Sequence, residues 1–407
     1  MVATDKLPRF RCRRRSAAQR NDGPLGAKKI LSWRLRLIKK EHLMKTIAIM
    51  TTGGDCSGLN TTIHRLVIGG LRRGWRMIGI LDGTDGLTRA GAPHTIEFNY
   101  DTLPIEYARL AGSFLKNGNS HAMNFETAGK SGQLDEFSTR MKKSLRALNL
   151  DALILIGGNG SLSLADRTRE IYGNIQLIAI PKTIDMDIPM TDTTLGFATA
   201  VQSLTAFCDQ LILTARSHHR WFVVQTMGRD TGHLALNAGI ATGADAILIP
   251  EIKFKPAALI SHLRKIESEQ KRDYGVILVA EGIKLRGHSG APADMIMREL
   301  VRAGINCRAS FPEHVQRAGD TTAADRLLGT SMADAALGAI ADNETYVMVS
   351  AAGDIARTVP ISEMFAAGIK TPDPNIPDVF VSNSFVPGDH PLLSVAANMG
   401  IYLGELK

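Results

Sequence analysis

The stretch Ala179–Phe197, AIPKTIDMDIPMTDTTLGF, concentrates groups that can do chemistry. An apolar run, Leu177 to Ile180, stops at Pro181, and Lys182, Thr183, Asp185 and Asp187 follow at once. Asp185 and Asp187 stand two apart, on one side of any extended backbone, where one carboxylate can take a proton and the other can help hold a metal ion. A D-x-D pair is also what a solvated turn contains, so the pair alone leaves both readings open.

Two glycine-rich stretches supply what such carboxylates lack. TTGGDCSGLN (51–60) follows an apolar run and precedes a helix beginning near Ser57 or Gly58. Gly53, Gly54 and Asp55 there can bring backbone N–H groups and a helix N-terminus to an oxyanion, or they simply make a tight strand-to-helix turn. LILIGGNGSLSLA (153–165) repeats the design at Gly158, Asn159, Gly160 and Ser161. Neither a dinucleotide G-x-G-x-x-G nor a G-x-x-x-x-G-K-[ST] is present, so a phosphate held there must find its cation elsewhere. Lys182 meets that need if its strand lies beside the one ending at Ile156.

Arginines gather further on. TMGRDTG (226–232) places Arg229 at another strand end, and CRASFPEHVQRAG (307–319) brings Arg308, His314 and Arg317 close together. A guanidinium fork suits a phosphorylated sugar, and surface arginines with a capping histidine fit the segment as well. SHHR (217–220) has no further Cys or His at ligand spacing and does not read as a metal site.

Short apolar runs alternate with longer stretches of helical period from Thr46 onward, the pattern of βαβ units and a mostly parallel sheet. Strands are expected at 46–50, 77–81, 152–156, 177–180, 221–226, 246–249, 275–280 and 345–350. Glycine clusters follow three of them, and doubly wound folds bind ligands just beyond the carboxyl ends of their strands. The Pro-rich piece KTPDPNIPDVFVSN reads as a connection.

At 407 residues, 44% hydrophobic and 22% charged, the chain can build two domains. No apolar run reaches the length of a membrane span. The net charge of +8 sits at one end: residues 1–43 carry 13 Lys and Arg against 3 acids, leaving about −2 for the rest, so nucleic acid is not an expected partner of the body. The basic segment is expected to be a disordered or non-native extension, since Met44 opens MKTIAIMTTGGD as a first strand would; its Arg-rich, acid-poor make-up also fits a transit peptide. Cys12, Cys56, Cys208 and Cys307 are far apart and form no CxxC pair, as expected of reduced thiols in a cytoplasm.

Six blocks, IAIMTTGGDCSGLN, LILIGGNGS, PKTIDMDI, TTLGFATA, VVQTMGRDTG and HVQRAG, resemble in order and interval the signatures of the phosphofructokinase family, over nearly all of residues 44–340. The resemblance implies two doubly wound, Rossmann-like α/β domains with the active site in the cleft between them. The donor-binding domain is 44–196, completed by about 316–365; the sugar-phosphate domain is 197–315, completed by the C-terminal segment. It implies that Asp185 is the base toward the sugar's 1-hydroxyl, that Lys182 and Arg229 join it in catalysis, and that Thr183, Ile184 and Asp187 flank it. Met227, Gly228, Arg229 and Glu281 are implied to contact the sugar, with His314 and Arg317 at its 6-phosphate. Arg220 and Arg308 are implied to reach in from a neighbouring copy, which makes a homodimer or homotetramer. Gly53, Gly54, Asp55, Gly158, Asn159, Gly160, Ser161 and Lys182 are implied to hold the donor, with Mg²⁺ at Asn159 and Asp187.

The donor side departs from the family pattern. Asn159 stands where an aspartate is usual, Met186 replaces an asparagine, Thr84 replaces a tyrosine common in bacterial members, and the arginine expected around Asn119 is missing, with Lys116 or Lys182 as substitutes. Gly160 leaves room for a nucleotide's α-phosphate and favours ATP. Lys182 is usual in pyrophosphate users, and Leu164 crowds the expected ribose position. The expected activity is therefore transfer from ATP to the 1-hydroxyl of fructose 6-phosphate, or of a close analogue such as sedoheptulose 7-phosphate. Pyrophosphate is the alternative donor, and a catalytically silent sugar-phosphate sensor is the alternative of another class.

Overall fold

The computed structural model describes residues 44–103, 105–118, 131–284, 289–353, 355–367, 369–370, 380–381 and 386–405. Residues 44–407 form one compact unit. The expectations for residues 1–43, for Asn119 and for most of the Pro-rich piece lie outside the described residues.

The apolar runs become the central strands because a parallel strand covered on both faces must be apolar throughout. β1 (Thr46–Thr51), β2 (Arg76–Ile80), β3 (Thr95–Phe98), β4 (Ala152–Gly157), β5 (Gln176–Pro181), β10 (Val347–Ala352) and β11 (Ile355–Pro360) form one sheet in the order β11-β10-β5-β4-β1-β2-β3. Its interior is parallel; β3 and β11 close the edges antiparallel. A second sheet, β7-β8-β6-β9, is parallel throughout and comprises β6 (Trp221–Thr226), β7 (Ala246–Leu248), β8 (Gly275–Ala280) and β9 (Cys307–Ser310). The C-terminal segment returns to this sheet through a bridge between Ala246 and Tyr402.

Period-two alternation divides the core. Ile47, Ile49, Ile154, Ile156, Ile178 and Ile180 face one side of the first sheet, while Ala48, Met50, Leu153, Leu155, Leu177 and Ala179 face the other. The isoleucine face joins a single apolar cluster with Val224, Ile247 and Leu278 of the second sheet. That shared cluster packs the two sheets as one body. The helix Phe197–Ser217 carries the chain from the loop after β5 to β6.

Strand order dictates where a ligand can sit. In the first sheet the chain runs from β1 outward to β2 and β3, then returns to the other side of β1 as β4, so the order reverses between β1 and β4. In the second it reverses between β8 and β6. Crevices open beyond the carboxyl ends of strands at such points.

Candidate active site

The first crevice is floored by the two glycine turns. Thr52 N donates to Ile156 O at 3.0 Å, so the turns leave β1 and β4 side by side. Gly53 adopts φ 75°, and a Cβ there would lie 3.5 Å from both Lys182 Nζ and Ser161 Oγ; the two turns and the lysine converge on that point. Thr52 Oγ1 donates to Ser161 Oγ at 2.7 Å, and Asn117 Nδ2 donates to Gly53 O at 2.8 Å. At Gly54 any Cβ would collide with the Arg317 guanidinium. The helix Asn159–Arg167 starts directly at the second turn with no side-chain cap, which leaves its first amides to a ligand.

β5 lies next to β4, with Pro181 opposite Gly157, as the reach of Lys182 requires. The side chain differs from expectation in its aim. Only 2% exposed, it donates to Thr52 O at 2.9 Å and to Gly54 O, so it is anchored on the first glycine turn rather than the second. Burial lowers its pKa.

The two aspartates share one side for a different reason from the one the sequence suggests. Met186 between them adopts φ 56°, so a turned rather than an extended backbone brings both to the cleft. Asp185 N donates to Thr183 Oγ1 at 3.0 Å, Thr231 Oγ1 donates to Asp185 O at 2.6 Å, and Thr194 Oγ1 donates to Thr183 O at 2.6 Å. Burial raises the pKa of Asp185, while Arg317, the bond with Thr183, Arg229 and Lys182 pull it back. Asp187 is raised to about 6, by burial first and by Asp185 second. Its Oδ1 is buried with no hydrogen-bond partner. An orphaned acid oxygen beside a second carboxylate fits a divalent cation. No group of three His, Cys, Asp or Glu side chains forms a metal cage among the described residues, so such a cation would take its other oxygens from phosphate and water.

The second crevice faces the first. Arg229, at φ 55° after β6, projects outward, and its N donates to Glu281 Oε1 at 2.7 Å beyond β8. Glu281 N donates to Thr226 O at 2.9 Å, and burial raises the pKa of its carboxyl. Met227 N donates to Gln316 Oε1 at 3.0 Å, and Arg317 Nη1 donates to Asp55 O at 3.1 Å while its Nε is buried without a partner. The cleft encloses about 260 Å³. It is lined by Gly53, Gly54, Gly158, Asn159, Gly160 and Ser161 of the glycine turns, by Lys182, Thr183, Asp185 and Asp187, and by Arg229, Glu281 and Arg317, the last lying against Gly54 and Asp55. It can hold a phosphate chain on one side of Asp185 and a phosphorylated alcohol on the other.

Other sequence-derived positions fall around this cleft or away from it. Ile184 is packed in the core, Gly228 makes the turn before Arg229 with φ 134°, and His314 is exposed in the short helical turn Glu313–Arg317. Arg220 precedes β6 and Arg308 pairs with Phe222 near the start of β6, at the opposite end of the sheet from Arg229. Leu164 and Thr84, both buried, line with Ser161 a small hollow of about 10 Å³. His219 of SHHR faces Asp273 at 3.0 Å. A larger hollow of about 550 Å³ near Met186 and Ile188, walled by Met190, Phe197, His233 and His390 among others, has no lysine or arginine among the described residues of its lining. Thr52, Asn117, Thr194, Thr231 and Gln316 were not singled out from sequence. Thr231 and Gln316 lie inside TMGRDTG and HVQRAG, where attention to partners for buried backbone groups would have found them.

Paired glycine turns, a buried lysine and two carboxylates between parallel sheets define an α/β protein built to handle phosphate. The chain belongs to the phosphofructokinase family, whose model, Phosphofructokinase, matches residues 46–340. The ATP-dependent 6-phosphofructokinase of Thermosynechococcus vestitus is 35% identical over 373 residues, 89% of this chain and 93% of that one. The pyrophosphate–fructose 6-phosphate 1-phosphotransferase of Dictyoglomus thermophilum is 34% identical over 348 residues, 81% of this chain and 95% of that one. The T-state structure of Pichia pastoris phosphofructokinase matches with a TM-score of 0.70 at 28% identity, over 80% of this chain and 38% of that longer one.

Proposed function

We propose that the protein transfers a phosphoryl group from ATP to the 1-hydroxyl of fructose 6-phosphate, giving fructose 1,6-bisphosphate. The observation that carries this reading is that Asp185 lines one cleft together with the glycine turns, Lys182, Arg229 and Arg317. Asp185 accepts the proton of the hydroxyl as its oxygen bonds to the terminal phosphorus and the bond from that phosphorus to ADP breaks. Phosphoryl transfer spreads charge over the equatorial oxygens, so the remaining task is alignment and charge compensation, supplied by Lys182, Arg229 and the amides of the two turns. Burial raises the pKa of Asp185 and so strengthens it as a base, while the neighbouring cations favour its ionised form. Asp187 and Asn159 are the residues to hold Mg²⁺, which when bound offsets charge on the donor phosphates.

Gly160 is exposed at the mouth of the second turn and leaves space for a nucleotide, which supports ATP; the name of the Thermosynechococcus relative points the same way. A specific observation favours pyrophosphate as the second reading. Leu164 and Thr84 line, with Ser161, a hollow of only about 10 Å³, too small for a nucleoside. The sugar phosphate occupies the wall of Arg229, Glu281 and Arg317, with Met227, Gly228 and His314 beside it. Arg220 and Arg308, too far along the second sheet to serve their own cleft, complete that of a neighbouring copy in a homo-oligomer. The donor part is 44–196 with about 316–365, the acceptor part is 197–315 with the C-terminal segment, and the enzyme works in the cytoplasm.

The test is a coupled assay of purified protein with Mg²⁺, fructose 6-phosphate and each donor in turn. Turnover with ATP supports the proposal, and turnover with pyrophosphate alone replaces it by the second reading. Binding of fructose 6-phosphate with no turnover for any donor makes the protein a sensor.

A further inference from the structure

Asp325 stands in the first turn of the helix Ala323–Ala341, fully buried and outside the cleft. Its carboxylate accepts from Gly196 N at 2.8 Å, Thr199 N at 2.8 Å and Thr199 Oγ1 at 2.5 Å. It therefore caps the helix Phe197–Ser217, whose own cap residue, Gly196 at φ 98°, has no side chain to do so. The unpaired amides and partial positive charge of that helix start are what hold a carboxylate in the core.

The capped residues are tied on their other side to the donor half of the cleft. Leu195 N donates to Pro181 O at 3.2 Å, Leu195 pairs in parallel with Lys182, and the Leu195 carbonyl accepts from Cys56 Sγ at 3.4 Å. A Cβ at Gly196 would run into Cys56, and one at Gly58 would run into Leu195 and touch Asp325. Leu195 and Gly196 thus form a wedge between Lys182 and the end of the first glycine turn.

We infer that Asp325 is a positioning residue: by fixing this wedge it keeps Lys182 and the first glycine turn in register for the donor phosphates while touching neither. The inference rests on the phosphoryl-transfer reading of the cleft. A carboxylate from one distant helix thereby sets the geometry of a site built on other elements.

The experiment compares full-length protein with Asp325→Asn by amide hydrogen exchange, melting, turnover and calorimetric binding of fructose 6-phosphate. Loss of a charged cap should speed exchange about tenfold at 196–199 and also at 53–58 and 182–185, with the second-sheet strand 275–280 unchanged. Turnover should fall about tenfold or more with a raised KM for the donor, while sugar-phosphate affinity stays within about twofold. Faster exchange confined to 196–199, or a lower melting point with unchanged kcat and KM, makes Asp325 a helix cap only and overturns the inference. Thr199→Val removes the hydroxyl's bond to the same carboxylate together with its contacts to Thr322, leaves the Gly196 and Thr199 amides on Asp325, and should give the same pattern, smaller, if Asp325→Asn does not fold. If the wild type turns over no donor, the functional reading falls, and the exchange pattern alone still supports or overturns the positioning role.

Discussion

Replacing Asp187 by asparagine removes a charge that the fold holds at a cost. The carboxyl is buried, one oxygen has no partner and Asp185 lies beside it, so its pKa rises from 3.8 to about 6. Between those values the folded chain binds more protons than the unfolded one. The stabilising difference is therefore complete below about pH 4 and lost as pH rises through about 6. At about 1.4 kcal/mol per unit, the burden at pH 7.5 is on the order of 2–3 kcal/mol. Asparagine has nearly the same shape and carries no charge to desolvate. At roughly 2 °C per kcal/mol for a chain of this length, the Asp187→Asn protein should melt about 4–6 °C above the wild type at pH 7.5 without divalent metal. The gain should shrink as pH approaches 5. Calorimetric melts of both proteins in chelator from pH 5 to 8 measure it, and the same variant should lose turnover. A variant no more stable than the wild type, or one whose gain is independent of pH, would refute the reasoning.

Asp185→Ala should lower kcat by about 10²- to 10⁴-fold in the coupled assay while calorimetry shows retained sugar-phosphate binding, because only proton removal is lost. Gly54→Ala places a methyl group against the Arg317 guanidinium, so the KM for the sugar phosphate should rise about tenfold with kcat less affected, as read from initial rates. Asn159→Asp restores a charged oxygen at the cation site, and the Mg²⁺ concentration for half-maximal rate should fall several-fold; an unchanged Mg²⁺ dependence would remove Asn159 from that site.

Buried parallel strands announce themselves as unbroken apolar runs, which is why β1, β4, β5, β6 and β8 stand where the sequence places them. β3, β9 and β11 are edge strands only partly covered, so polar residues interrupt the pattern. The strand expected at 345–350 begins instead at Val347: Tyr346 takes φ 61°, which breaks the extended backbone, although its N still donates to Leu177 O at 2.8 Å. The helix expected from Ser57 or Gly58 begins at Leu59, with Gly58 as its left-handed cap. The glycine turns, Lys182 and the two aspartates were legible because each follows directly on a recognisable strand. Their geometry was not: the turn at Met186 and the aim of Lys182 depend on Thr231, Thr52 and Gly54, contacts that only the folded chain brings together. Asp325 lies more than a hundred residues from the helix it caps, and no local pattern pairs them.

The most direct test of the account is a structure of the protein with fructose 6-phosphate and a non-hydrolysable donor analogue. It should show an Asp185 carboxylate oxygen about 2.6–3.2 Å from the sugar's 1-oxygen, with the terminal phosphate of the donor beyond it against Lys182 and the two glycine turns. A 1-oxygen turned away from Asp185, or a donor seated anywhere other than those turns, would contradict it.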